Sequence, residues 1–358
     1  MVLSNKVKIT RPGVFPDESS SVEDPRETAK YGVFSYGKRI EGWGRVRRRA
    51  VVGVLSGWII AGAVIAGQQP TVTFRSGVEA VTVSAIVRDV RGRVIRDLKK
   101  ADFEVVDSGT KREITDFYAG ESAVSLALLL DISGSMSVGG NMERARQAVN
   151  LALTHLRPKQ DEAALFTFDT ELKEVRPFTT DLSRITSVSL EGKPWGLTSL
   201  YDAIGTMARR VAERKNRHRA LLVITDGVDT GSRMTPPQVS YVASSIDVPV
   251  YLLVVSNPVD NPGHKLAVLA AAGQTVDNTA TLADLARWTG GEMAVASDLE
   301  DSTRALRELM GNLRHQYLLS FEPGARPGWH PLEIRTRKKN LIVHARSGYL
   351  AGSARSGS

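Results

Sequence analysis

Strand and helix signals alternate through the middle of this chain, and that alternation limits its fold more than any other feature. Residues 124–130, 220–225 and 250–255 are short, almost purely apolar runs. Such a run reads as a strand covered on both sides, the hallmark of a parallel sheet between layers of helices. Between the first two runs, Met142, Ala145, Val149, Ala152, Leu153 and Leu156 fall on one helical face that stops at Pro158, and Leu200, Ile204, Met207, Ala208 and Val211 mark a second helix. Residues 163–168 and 172–178 read as a hairpin across Asp169-Thr170-Glu171, which predicts an antiparallel strand at a sheet edge. A helix over 282–288, a short strand over 293–296 and a last helix complete the series. For that last helix Ser297 and Glu300 have capping-box spacing, and Leu299, Leu306, Leu309, Met310 and Leu313 supply the buried stripe. Residues 257–279 read as an irregular insertion. The fold class predicted for residues 121–314 is α/β: a doubly wound, mostly parallel sheet with helices on both faces.

The pattern on either side has period two. Val81, Val83, Ala85 and Val87 alternate with Thr82, Ser84 and Ile86, and turn signals follow at Asp89-Val90-Arg91-Gly92 and Asp107-Ser108-Gly109. The β segment 71–119 therefore holds about four strands. The segment 315–351 supplies three more, over 317–321, 332–337 and 341–349. Neither segment can cover two sheet faces alone. One β-sandwich built from both, with the α/β region inserted between the halves, is the expected solution.

Ahead of these lie an export signal and a leader. Residues 46–67 place Arg47, Arg48 and Arg49 directly before an uncharged apolar stretch that exits through Gln68-Gln69-Pro70. Its length falls between a signal-peptide core and a comfortable membrane span, so it reads as a signal peptide or as an inner-membrane anchor over residues 50–67. In both cases the basic cluster stays inside and the rest is exported, to the periplasm or the exterior. Residues 1–45 are polar, with Pro12, Pro16 and Pro25 and no sustained period, and are expected to be a disordered leader. A start codon placed too far upstream would also produce such a leader. The net charge of +8 is concentrated here, 11 Lys and Arg against 6 Asp and Glu lying in residues 1–49. The rest of the chain is nearly neutral and lacks the basic stripe with interleaved aromatics of a nucleic-acid binder. Arg335, Arg337, Lys338 and Lys339 read as a solvated edge strand and turn.

The chemistry gathers where the apolar runs end. In L-A-L-L-L-D-I-S-G-S-M-S, Asp131 terminates the first run, and Ser133 and Ser135 follow at alternate positions. One carboxylate and two hydroxyls in the turn after a buried strand suit a hard cation such as Mg²⁺ or Mn²⁺, whereas zinc favours Cys and His, and the chain has no Cys. Thr198 in W-G-L-T-S-L-Y-D-A adds a hydroxyl before a helix, and Asp226 in V-I-T-D-G ends the next apolar run. Asp202 and Asp229 lie close in sequence to this set and read as a first-turn helix charge and a loop residue.

These residues resemble the metal-ion-dependent adhesion site of the von Willebrand factor A family, whose pattern is D-x-S-x-S, then a Thr, then an Asp before Gly. Asp131, Ser133, Ser135, Thr198 and Asp226 match all five positions. The flanking D-F-E-V, Q-Y-L-L-S-F-E-P and G-Y-L extend the likeness to exported bacterial proteins related to that family, over residues 71–351. The resemblance implies a non-enzymatic protein-binding module whose cofactor is Mg²⁺, with Mn²⁺ or Ca²⁺ as substitutes. It also implies a partner that completes the coordination with a Glu or Asp carboxylate. With only two acidic ligands the cation keeps positive charge to attract such an anion. Two other readings are a metal-dependent hydrolase or phosphotransferase on the same sheet and a structural envelope protein stabilised by metal. Against an enzyme stands the lack of G-x-S-x-G, of a P-loop and of H-E-x-x-H, and the six His fall away from the cluster.

Overall fold

The computed structural model describes residues 80–189, 193–255 and 282–352. The leader, the apolar segment 46–67 and the insertion expected over 257–279 lie outside the described residues. Four strands come first: β1 (Val81–Asp89), β2 (Phe103–Asp107), β3 (Thr110–Arg112) and β4 (Ile114–Ala119). The α/β region comes next with β5 (Val124–Asp131), α1 (Asn141–Thr154), β6 (Glu162–Phe168), β7 (Leu172–Thr179) and the short α2 (Ser183–Thr186). It continues through α3 (Leu200–Ala212), β8 (His218–Thr225), α4 (Pro236–Ser245), β9 (Val250–Val255), α5 (Leu282–Trp288), β10 (Met293–Ala296) and α6 (Leu299–Arg314). The chain closes with β11 (Tyr317–Phe321), β12 (Gly328–Thr336), β13 (Leu341–Ala345) and β14 (Gly348–Ala351).

The central sheet has the order β10-β9-β8-β5-β6-β7 and is parallel except for β7, which runs antiparallel to β6 at the edge. β5 is buried along its whole length because it is covered on both faces. Its even residues Leu126, Leu128 and Leu130 pack with α1 and with Leu306, Leu309 and Leu313 of α6. Ala127 and Leu129 face the opposite way, onto Ile204, Met207 and Val211 of α3 and Leu285 of α5. The order reverses at β5, since β6 lies on one side of it and β8 on the other, and such a reversal opens a crevice at the strands' carboxyl ends.

The flanking strands form two four-stranded sheets, β13-β1-β11-β4 and β14-β12-β2-β3, each mixing strands from before and after the α/β region. Val83, Ala85, Val87, Leu319 and Phe321 of one sheet pack on Phe103, Val105, Leu332, Ile334 and Tyr349 of the other. The period-two pattern of β1 thus has a function on each face. Its odd residues fill the sandwich, while Ile86 joins the α/β core, Ser84 Oγ donates to Asp247 at 2.9 Å and Arg88 pairs with Glu292 at 2.6 Å.

Three local expectations are corrected. Residues 341–349 are not one strand: the chain passes from β13 to β14 in the other sheet, so the C-terminal segment supplies four strands. At the crossing, Arg346 is 4% exposed, donates to the carbonyls of Ser244 and Thr82 at 2.5 Å and approaches Asp247 at 3.3 Å. A buried guanidinium held there does not leave a straight strand. The N-cap of α6 is Asp298, whose carboxylate accepts from Asp301 N at 2.8 Å, while Ser297 donates to the Asp301 side chain. Leu299, at the first position of that helix, is 53% exposed and lies outside the buried stripe.

Candidate functional site

β5 and β8 end side by side, so Asp131, the last residue of β5, meets Thr225, the last of β8. Thr225 Oγ1 donates to Asp131 Oδ2 at 2.6 Å, and Ser133 N donates to Oδ1 at 2.8 Å. Asp131 and Ser133 are fully buried, and Ser133 Oγ lies 3.2 Å from Ser135 Oγ. Asp226, 1% exposed, begins the loop after β8, and its Oδ1 accepts from Val228 N at 3.4 Å.

The loop before α3 is bonded to the turn after β5. Trp195 N donates to Ile132 O and Gly134 N to Gly196 O, both at 3.1 Å. Gly196 has φ +89°, and a Cβ there would stand 3.2 Å from Thr170 Oγ1, so the close approach of this loop to the β6–β7 turn depends on glycine. Thr198, 2% exposed, is linked in turn to the loop after β8. Its N–H donates to Thr230 Oγ1 at 2.9 Å, and its carbonyl accepts from Thr230 N at 3.0 Å and Gly231 N at 2.9 Å. The structure therefore brings Asp131, Ser133 and Ser135 into one bonded cluster and sets Thr198 and Asp226 on the two loops tied around it.

Asp229 and Asp202 serve the scaffold. Asp229 Oδ1 accepts from Leu200 N at 2.8 Å and Ser232 Oγ at 2.6 Å, which caps α3, and Asp202 accepts from Met234 N at 2.9 Å. Thr225 is the residue that the sequence pattern does not reveal.

Burial pushes the Asp131 carboxyl from the ordinary 3.8 up to about 6, opposed by its hydrogen bonds to Thr225 and Ser133 and increased by the nearby Asp226 charge. Two acids held this way, with neutral hydroxyls beside them, fit a hard divalent cation by donor type. Among the described residues no three of His, Cys, Asp and Glu gather as a metal cluster, so the further ligands would be hydroxyls.

A parallel-centred α/β sheet with this turn at its switch point defines the class. Residues 126–228, from β5 to the loop after β8, match the family model of the von Willebrand factor type A domain. No curated protein matches the chain. Similar solved structures include an aerotolerance-related membrane protein from Bacteroides fragilis, at 20% identity over 53% of this chain and 98% of that one, with a TM-score of 0.40. Manganese-loaded TRAP protein from Plasmodium vivax is 15% identical over 67% of this chain and 99% of its own, TM-score 0.37. A von Willebrand factor type A structure from Catenulispora acidiphila is 10% identical over 79% and 76%, TM-score 0.38.

Proposed function

We propose that this chain is an exported, non-enzymatic binding module that recognises an acidic group of a protein partner through Mg²⁺ held by Asp131, Ser133, Ser135, Thr198 and Asp226. Residues 46–67 direct its export and are either cleaved or kept as an anchor. The observation that carries the reading is the Asp131 carboxylate, buried at a strand end beside a second buried acid, Asp226, and pushed up to about 6. A divalent cation relieves that electrostatic penalty, and hydroxyl ligands leave it enough positive charge to attract a carboxylate. The chain's own part is to hold the pocket: Thr225 and Ser133 fix both Asp131 oxygens, and the bonds of Thr198 fix its loop. The placement of the described histidines also supports binding over catalysis, His218 for example starting β8 at the end opposite the site.

The test is a melt and a capture, each in Mg²⁺ and in EDTA. A ligand at about 100 times its dissociation constant stabilises the folded state by about 2.7 kcal/mol, so Mg²⁺ should raise the melting temperature of wild type and not of Asp131→Ala. Capture of a partner by Asp131→Ala equal to wild type in both media would sink the recognition role, and phosphoester turnover lost with Asp131→Ala would point to the hydrolase reading.

A further inference from the structure

The sandwich has a basic end that the sequence disperses over two distant loops. β1 finishes at Asp89, which pairs with Leu341 at the start of β13, so the β1–β2 connection and the β12–β13 turn emerge together. The first connection carries Arg91, Arg93, Arg96, Lys99 and Lys100, all exposed. The turn adds exposed Arg337, Lys338 and Lys339. Asp102 bonds the two: its carbonyl accepts from Arg337 N at 2.8 Å, and its carboxylate accepts from Lys99 N at 2.8 Å and lies 3.4 Å from Lys338 Nζ. Only Asp89, Asp97 and Asp102 stand as acids in these stretches. Everything after residue 49 holds 36 Lys and Arg against 33 Asp and Glu, so this end exceeds the whole surplus and the remainder is slightly acidic.

The same end holds aliphatic side chains out in water. Asp89 Oδ1 accepts from Arg91 N and Arg93 N, both at 2.9 Å, and the turn they define leaves Val90 70% exposed. On the adjacent strand Ile342, paired with Arg88, is 52% exposed. Cations around projecting aliphatics fit a surface that is anionic outside and apolar just beneath. We propose that this end of the sandwich docks on an anionic phospholipid bilayer, its lysines and arginines against the headgroups and Val90 and Ile342 at the acyl boundary. A single-stranded nucleic acid would call for aromatic side chains to stack on its bases, and neither loop has one.

The chain has no Cys, so Val90→Cys takes a single polarity-sensitive dye at the tip of the turn. With the full-length labelled protein, vesicles of phosphatidylcholine and phosphatidylglycerol should shift the emission to the blue. Phosphatidylcholine alone should not, and salt at about 0.5 M should reverse the shift, because screening then acts over only a few ångströms. Adding Lys99→Glu, Lys100→Glu and Lys339→Glu at three exposed positions, with a thermal melt to check that the fold is kept, should raise the lipid needed by at least about 100-fold. The dye reports residue 90, so insertion of the apolar segment 46–67 does not by itself produce the signal. An equal shift on neutral vesicles, no shift at all, or a response untouched by the triple reversal would overturn the proposal. So would a larger response to a single-stranded oligonucleotide than to the anionic vesicles.

Discussion

Replacing Asp131 by Asn should make the metal-free protein more stable while removing its affinity for metal. The amide keeps the size of the side chain and an acceptor for Ser133 N, and it turns an NH₂ toward Thr225 Oγ1, which already accepts from Gly227 N at 3.1 Å. Only the charge is lost. The wild-type carboxyl moves from 3.8 to about 6 on folding, and at about 1.4 kcal/mol per pKa unit the folded state at pH 7 carries a penalty of about 3 kcal/mol. Proton counts give the sign. Between those two pKa values the folded protein still holds the proton that the unfolded chain has released, so the penalty is absent below about pH 4, grows to about pH 6 and is complete above it. In EDTA at pH 7, Asp131→Asn should therefore exceed wild type by up to about 3 kcal/mol, or roughly 4–5 °C in Tm for a chain of this size. The gap should close as the pH approaches 4. In Mg²⁺ wild type should recover stability and the variant should not. Thermal and urea melts over this pH range, in EDTA and in Mg²⁺, measure all of it. A variant less stable than wild type in EDTA at pH 7, or a gap that ignores pH, would mean that the buried Asp131 charge does not destabilise the metal-free fold.

Other outcomes are accessible to simple assays. Thr198→Ala should reduce partner capture more than Mg²⁺ affinity, as pull-down beside calorimetry would reveal, and equal losses would count against a separate role for this hydroxyl. Arg346→Ala leaves Asp247 buried without its guanidinium and should cost about 3–5 kcal/mol in a urea melt; a loss below about 1 kcal/mol would show that the seam between sandwich and α/β part is weakly held. A reporter active only outside the cytoplasm, fused after Ser358, should be active, and activity of a cytoplasm-only reporter there would contradict the export reading.

The features legible in the sequence are those in which one local pattern suffices. β5, β8 and β9 are apolar on both faces because both faces are covered, and the D-x-S-x-S turn stands at the end of β5, where an apolar run broken by Asp131 puts it. Thr225 stays hidden because a β-branched residue at the end of an apolar run is what any strand supplies. Only the pairing of β8 with β5 sets it against Asp131. α4 is hard to see for a different reason: its buried face mixes Ser240 and Ser244 with Val239 and Ala243, so its stripe is thin, although Thr235 and Gln238 form a capping box around two prolines. The break between β13 and β14 depends on Arg346 reaching α4, over a hundred residues earlier in the chain, and no short-range pattern encodes it. The basic end of the sandwich is hidden in the same way, since its two loops are brought together by the pairing of β1 with β13 and by the bonds of Asp102.

The pairing of Ala119 with Tyr317 places the entrance and exit of the α/β part on neighbouring strands. In an unstructured chain, bringing those ends together means closing a loop of about 200 residues, some 3 kcal/mol harder in entropy than closing one of about five. Once the α/β part has folded, its ends already stand next to each other, and that difference is removed before β4 and β11 pair. During synthesis from the N-terminus the sandwich is therefore the last part able to assemble: β1 to β4 emerge first and wait, edges unsatisfied, until residues 317–351 arrive. Any factor that binds exposed strand edges has its window in that interval.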